Sequence, residues 1–133
     1  MDERQAGMGK TAVVIGASMG GLLAARALAD HYEQVTLLER DSFPAPGEQR
    51  KGVPQGRHAH AVLVRGLEIM EGYFPGLIAA LVAQGADYGD VSQYARWFHE
   101  GACHQPMLSG HNAINVSRAL LEAPVRARLL ELP

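Results

Sequence analysis

The sequence predicts an α/β chain that opens on a strand–helix–strand unit, and three observations predict it. Residues Thr11–Gly16 (TAVVIG) are a short apolar run rich in β-branched side chains and ended by glycine, the composition of a strand buried in a parallel sheet. Gly20–Tyr32 is built from helix formers, and its alanines are small enough to let a helix lie close on a sheet. Gln34–Glu39 (QVTLLE) is a second apolar run of similar length. Strand, helix and strand within about thirty residues make one βαβ unit, whose crossover is right-handed in nearly all proteins.

Length and composition bound the rest. A chain of 133 residues suits a single domain over 1–133. With 47% hydrophobic and 20% charged residues it has the balance of a soluble globular protein. A net charge of −2 leaves no electrostatic footprint for nucleic acid or an anionic membrane surface. The single cysteine, Cys103, has no partner for an internal disulfide, which fits a reducing compartment. Residues 1–10 form a polar, flexible leader without the apolar core of a signal peptide. The apolar stretch Val13–Leu28 is broken by Gly16, Gly20, Gly21 and Arg26, which argues against a membrane span. A cytoplasmic protein is expected.

Beyond the second strand the character changes. Residues 41–57 hold Pro44, Pro46 and Pro54 together with Gly47, Gly52 and Gly56, so a long loop is predicted, of the kind that carries function. His58–Phe74 returns to helical spacing, with Leu63, Leu67, Met70 and Phe74 forming a core-facing stripe. Pro75–Gln84 predicts a further short helix. Tyr94–Met107 alternates loosely around Gly101, as a hairpin does, with Tyr94, Trp97 and Phe98 read as core or hairpin packing. Ser117–Leu130 predicts a last helix, kinked or restarted at Pro124, because proline is comfortable only in a helix's first turn.

The segment Gly16-Ala17-Ser18-Met19-Gly20-Gly21 lies between the first strand and the first helix, where a phosphate-binding turn belongs. In the G-x-G-x-x-G fingerprint the first glycine makes the tight turn, the second admits the pyrophosphate and the third permits close helix–strand packing. Gly16 and Gly21 hold the first and third places, and Ser18 departs from the second. Its Cβ takes up space, but its hydroxyl can donate to a phosphate oxygen. The free N–H groups and positive dipole end of the helix supply further attraction. Glu39 ends the second strand about twenty residues after Gly16, the place of a carboxylate that accepts from the ribose hydroxyls and repels a 2′-phosphate. A solvated acid at a strand end is the alternative. Together these features predict a Rossmann-like βαβ dinucleotide-binding fold.

A plain NAD domain passes quickly from its second strand into another helix, whereas this chain inserts the loop ending RKGVPQGRH. With VVIGASMGGLLAARAL, VTLLERD and VSRALLEAPVRARL, that segment resembles the N-terminal part of FAD-dependent monooxygenases of the p-hydroxybenzoate hydroxylase type. The resemblance implies an FAD-binding fold with an incomplete parallel sheet and flanking helices. It implies that Gly16, Ala17, Ser18, Met19, Gly20 and Gly21 surround the pyrophosphate, that Glu39 holds the ribose, and that Arg40 lies beside the adenosine. Arg50 would reach the phosphates or ribityl chain, and Arg118 would touch the cofactor from the last helix. Arginine's planar fork suits phosphate oxygens. Arg118, Glu122 and Arg126 also fall at i, i+4 and i+8, so a solvated charge ladder is an equal reading of Arg118. Arg57 is expected to decorate the loop.

The reaction implied is reduction of FAD by NAD(P)H and oxygen transfer to an aromatic ring or alkene. No catalytic residue is assigned, and no spacing of His58, His60, Cys103 and His104 matches a metal site. The family runs to about three times this length, so the chain is expected to be a truncated piece. It would be inactive alone and prone to self-association or to pairing with the missing part through an exposed sheet edge. The alternatives are a non-catalytic nucleotide-binding module and a fragment of an NAD-dependent dehydrogenase.

Overall fold

A computed structural model describes residues 9–45, 48, 50 and 52–133, so most of the expected leader lies outside the described residues, as do positions 46, 47, 49 and 51 of the loop. Strand β1 (Thr11–Ile15) leads through the glycine-rich turn into helix α1 (Met19–Ala29) and back to strand β2 (Gln34–Leu38). β1 and β2 pair in parallel from Thr11↔Gln34 to Ile15↔Leu38. The Gly16 N–H extends the ladder by donating to the Leu38 carbonyl at 2.7 Å. One face of this ribbon lies bare, with Ile15 87% exposed and Val13 and Leu38 more than half exposed.

The loop after β2 has no regular structure in its described part until a 3₁₀ turn at Pro54–Arg57, which starts on a proline. The helix expected from His58 begins six residues late. Ala59–Val62 is instead strand β3, and helix α2 covers only Val64–Tyr73. Leu67, Met70 and Phe74 are buried as the stripe requires, but Leu63 sits outside the helix as its N-cap and is exposed. Helix α3 (Leu77–Ala83) follows, and Glu71 caps it by accepting from the N–H groups of Gly76 (2.6 Å) and Ile78 (2.8 Å).

Strand β4 (Asp87–Asp90) and the single turn α4 (Val91–Tyr94) lead to the predicted hairpin, β5 (Phe98–His99) with β6 (Ala102–Cys103). Its two connecting residues, Glu100 and Gly101, both take positive φ, which matches the twist of a tight hairpin. Tyr94, Trp97 and Phe98 are exposed on this arm, so the core role allowed for them is not realised. The base of the arm is fastened by Asp90, whose buried carboxylate accepts from the N–H groups of Ser92, Gln93, Ser109 and Gly110 and from the Ser109 hydroxyl. Burial pushes this carboxyl up, and the hydrogen bonds from Ser109 and Gly110 outweigh that effect, leaving it below the ordinary range.

Strand β7 (Asn112–Ser117) then enters between β3 and β4, antiparallel to both. The architecture is therefore mixed α/β. A two-stranded parallel ribbon, a three-stranded antiparallel sheet and a hairpin replace the one incomplete parallel sheet expected. Helix α5 (Arg118–Leu130) starts on Ser117, whose hydroxyl accepts from the Leu120 N–H, and it continues through Pro124 without a restart. The core lies among α1, α2, α3, α5 and β7, with Leu22, Leu77, Leu81, Ile114 and Val125 fully enclosed. Among the described residues no single helix is long and apolar enough to cross a membrane.

Candidate functional site

The glycine-rich turn has the geometry its residues dictate. Gly16 takes φ +92°, in the left-handed region that disfavours any side chain. A Cβ on Gly21 would lie 1.7 Å from the Gly16 carbonyl oxygen, so the start of α1 touches the end of β1 only because Gly21 has none. A Cβ on Gly20 would meet nothing within 4 Å, which makes that side of the turn an open surface. Ala17 and Met19 are buried inward. Ser18 is the N-cap of α1, with extended backbone, and its side chain does not cap the helix. The first intrahelical bond is that of Leu22 N–H to the Ser18 carbonyl (2.9 Å), so the preceding N–H groups at this helix end have no intrahelical acceptor.

Glu39 points at that turn. Its Oε2 accepts from the Ala17 N–H (2.8 Å) and from Arg50 (2.6 Å), and its Oε1 accepts from the Asp41 N–H (3.0 Å). The two backbone donors at Asp41 and Ala17, then the Arg50 guanidinium, hold this carboxyl down at about 2. A carboxylate has about four lone-pair sites, and these three donors leave one among the described residues.

Arg50 comes from the loop, and its side chain is 8% exposed. Besides Glu39 it donates to the Ala17 carbonyl (3.0 Å) and to Glu122 (3.2 Å), while its Nε is buried without a partner among the described residues. Burial pulls its pKa down, and the bond to Glu39 with the charges of Glu122 and Glu39 more than reverses this. Arg118, in the first turn of α5, donates from Nε to Glu122 (3.2 Å) and from its terminal amine to the Ser18 hydroxyl (2.7 Å). Arg126 adds a third guanidinium 3.9 Å from Glu122, and it stacks on the Phe43 ring at 4.5 Å. A crevice beside this network separates the loop from α5, walled by Pro44, Val53, Arg50 and Arg126, and residues 16–21 do not line it.

The structure thus brings Ser18, Glu39, Arg50 and Arg118 together at the turn. Arg40 stays apart: its side chain is 88% exposed and paired with Asp41 at 3.3 Å. The spacing of Arg118, Glu122 and Arg126 does form a ladder, but it is not a solvated one, because Glu122 is buried. Glu122 is the participant that sequence reasoning missed. Its helical spacing was visible, but its partner Arg50 lies seventy-two positions away. The side chain of Arg57 lies outside the described residues. No group of three or more His, Cys, Asp or Glu among the described residues is placed to hold a metal ion.

No family model matches the chain. It is 39% identical over 127 residues to protein Rv3254 of Mycobacterium tuberculosis (strain ATCC 25618 / H37Rv), an alignment taking in 91% of this chain and 26% of that protein. Among solved structures it resembles 2-methyl-3-hydroxypyridine-5-carboxylic acid oxygenase in a mutant form, with a TM-score of 0.64, 21% identity, and coverage of 95% of this chain and 30% of the other. The tetrameric form of that oxygenase gives a TM-score of 0.58 at 20% identity, covering 93% of this chain and 30% of the other. The fold is therefore that of one part of this oxygenase. The chain spans roughly a quarter to a third of the length of these relatives.

Proposed function

We propose that this chain holds FAD, as the cofactor-binding portion of a flavin-dependent oxidoreductase of the monooxygenase or epoxidase kind. The observation that carries this reading is the convergence of Glu39, Arg50 and Arg118 on one glycine-rich turn from three separate segments. A diphosphate needs hydrogen-bond donors where backbone can approach closely. The open side of Gly20, the N–H groups at the start of α1 and the two guanidiniums meet that need. The unpartnered Nε of Arg50 and the spare lone-pair site of Glu39 are further capacity for an anion and for a sugar hydroxyl. The residues fit the group.

In this reading Ser18 donates to a phosphate oxygen while Arg118 fixes its hydroxyl. Arg50 faces the phosphates or the ribityl chain, and Glu39 accepts from the adenosine ribose. A carboxylate there repels a 2′-phosphate, so NADP is disfavoured as the resident ligand and NAD(P)H is assigned the part of transient reductant. Bound FAD supplies electron transfer and activation of oxygen. The substrate class, an aromatic ring or alkene, is consistent with a fold shared with an oxygenase of a pyridine carboxylic acid. The bare face of Val13, Ile15 and Leu38 is proposed as the surface for self-association or for a further polypeptide segment.

The test is reconstitution. Protein incubated with FAD and desalted is expected to keep flavin absorbance, and ADP is expected to compete for the site. Protein that emerges colourless, or that retains NAD in preference to FAD, overturns the assignment.

A further inference from the structure

We propose that Glu122 is a positioning residue of the site, a buried carboxylate that holds Arg50 and Arg118 in the orientation the cofactor's diphosphate needs. This rests on the FAD reading and adds a residue that neither the glycine fingerprint nor the acidic ribose position contains.

Glu122 sits on the second turn of α5 with its side chain 5% exposed. Each of its oxygens takes a different arginine: Oε1 accepts from Arg50 at 3.2 Å, and Oε2 accepts from Arg118 Nε at 3.2 Å. Both arginines direct other nitrogens at the turn, Arg50 to the Ala17 carbonyl and Arg118 to the Ser18 hydroxyl. Glu122 therefore anchors two long cationic side chains that come from a loop and from a helix start. An arginine side chain loses substantial rotamer freedom when it is ordered. Glu122 imposes that order before any ligand arrives, which is how preorganisation raises affinity. Arg126 joins the same carboxylate at longer range and presses on Phe43, as Arg50 does from 5.5 Å.

A simpler electrostatic account gives the opposite sign. Glu122 is a negative charge close to where a diphosphate would bind, so neutralising it should strengthen anion binding. The positioning account predicts weakening. Glu122→Gln preserves shape but turns an amide N–H₂ group toward one of the two arginines, leaving that guanidinium facing a donor. We expect Glu122→Gln to raise the Kd for FAD about tenfold, and Glu122→Asp, which keeps two acceptor oxygens, to recover part of the loss. Unchanged or tighter FAD binding by Glu122→Gln overturns the proposal.

A second readout is independent of FAD. Proton exchange at the Arg50 Nη and Arg118 Nε groups, the nitrogens that donate to Glu122, followed by nitrogen-15 NMR of the flavin-free protein, should be slow in the wild type and faster in Glu122→Gln. Equal rates overturn the positioning role even where affinity falls. If the wild type retains no FAD, the cofactor reading fails, and the exchange rates alone still decide whether Glu122 orders the two arginines. Should Glu122→Gln fail to fold, Glu122→Asp against wild type decides by the same two measurements: the role stands if exchange quickens and FAD binding weakens, and falls if neither changes.

Discussion

Ser18 and Arg118, one hundred positions apart, meet through a 2.7 Å hydrogen bond from the guanidinium to the serine hydroxyl. The residue in the middle place of the glycine turn is thereby tied to the helix that closes the chain. A glycine at that place has no hydroxyl and would leave Arg118 with Glu122 as its remaining partner. The serine departure and the arginine form one feature.

Ser18→Ala is expected to cost about 1 kcal/mol of stability, the order of a partly exposed hydrogen bond to a charged group. Combined with Arg118→Ala, the loss should fall short of the sum of the two single losses. Urea unfolding of the four proteins measures this, and strictly additive losses would show that the 2.7 Å contact carries no energy.

Gly21 and Gly20 should respond in opposite ways to alanine. At Gly21 the new methyl would collide with the Gly16 carbonyl, and the backbone must move, at a cost of about 3 kcal/mol or more. At Gly20 the methyl enters open space on a helix, where alanine is favoured by up to about 1 kcal/mol. Thermal unfolding of the two variants distinguishes them, and equal melting temperatures would contradict the close approach of α1 to β1.

Glu39 links stability to acid. Its carboxyl is held at about 2 in the folded chain against an ordinary 4.5, so folding favours the charged form. The stabilisation is fully present above about 4.5 and fades as pH falls toward about 2, on the order of 2 to 3 kcal/mol in all. Glu39→Gln should therefore be much less stable than wild type near neutrality and approach it in acid. A gap that stays constant from neutral pH to the acid limb would show that Asp41, Ala17 and Arg50 do not hold this carboxylate. In the same variant, adenosine-nucleotide affinity should fall by about 1–3 kcal/mol.

The parts of the fold legible in the sequence are those set by neighbours along the chain. β1, the turn, α1 and β2 follow from apolar runs and glycine spacing, and the hairpin follows from Gly101. The start of α2 is not legible because Ala59–Val62 is too short a strand to show its own period, while Leu63 happens to extend the helical stripe. β7 carried a usable signal, Ile114 and Val116 alternating with Asn115 and Ser117, and its partners are fixed only by tertiary packing. In the site, Glu39 was visible by its distance from Gly16. The pairing of Arg50 with Glu122 was not visible, since the two residues are seventy-two positions apart and meet only in the folded chain. Arg40 shows the converse. Though next to Glu39 in sequence, its side chain is exposed and pairs with Asp41.

The excursion from Val91 to Leu108 leaves and re-enters the fold at nearly the same place. Asp90 grips Ser109 and Gly110, and Met107 N–H reaches the Ser92 carbonyl at 3.3 Å. A loop with its neck stitched shut can change length or composition without transmitting strain to the sheet below. The outermost lobe can thus be remodelled while the glycine turn and its arginines stay as they are.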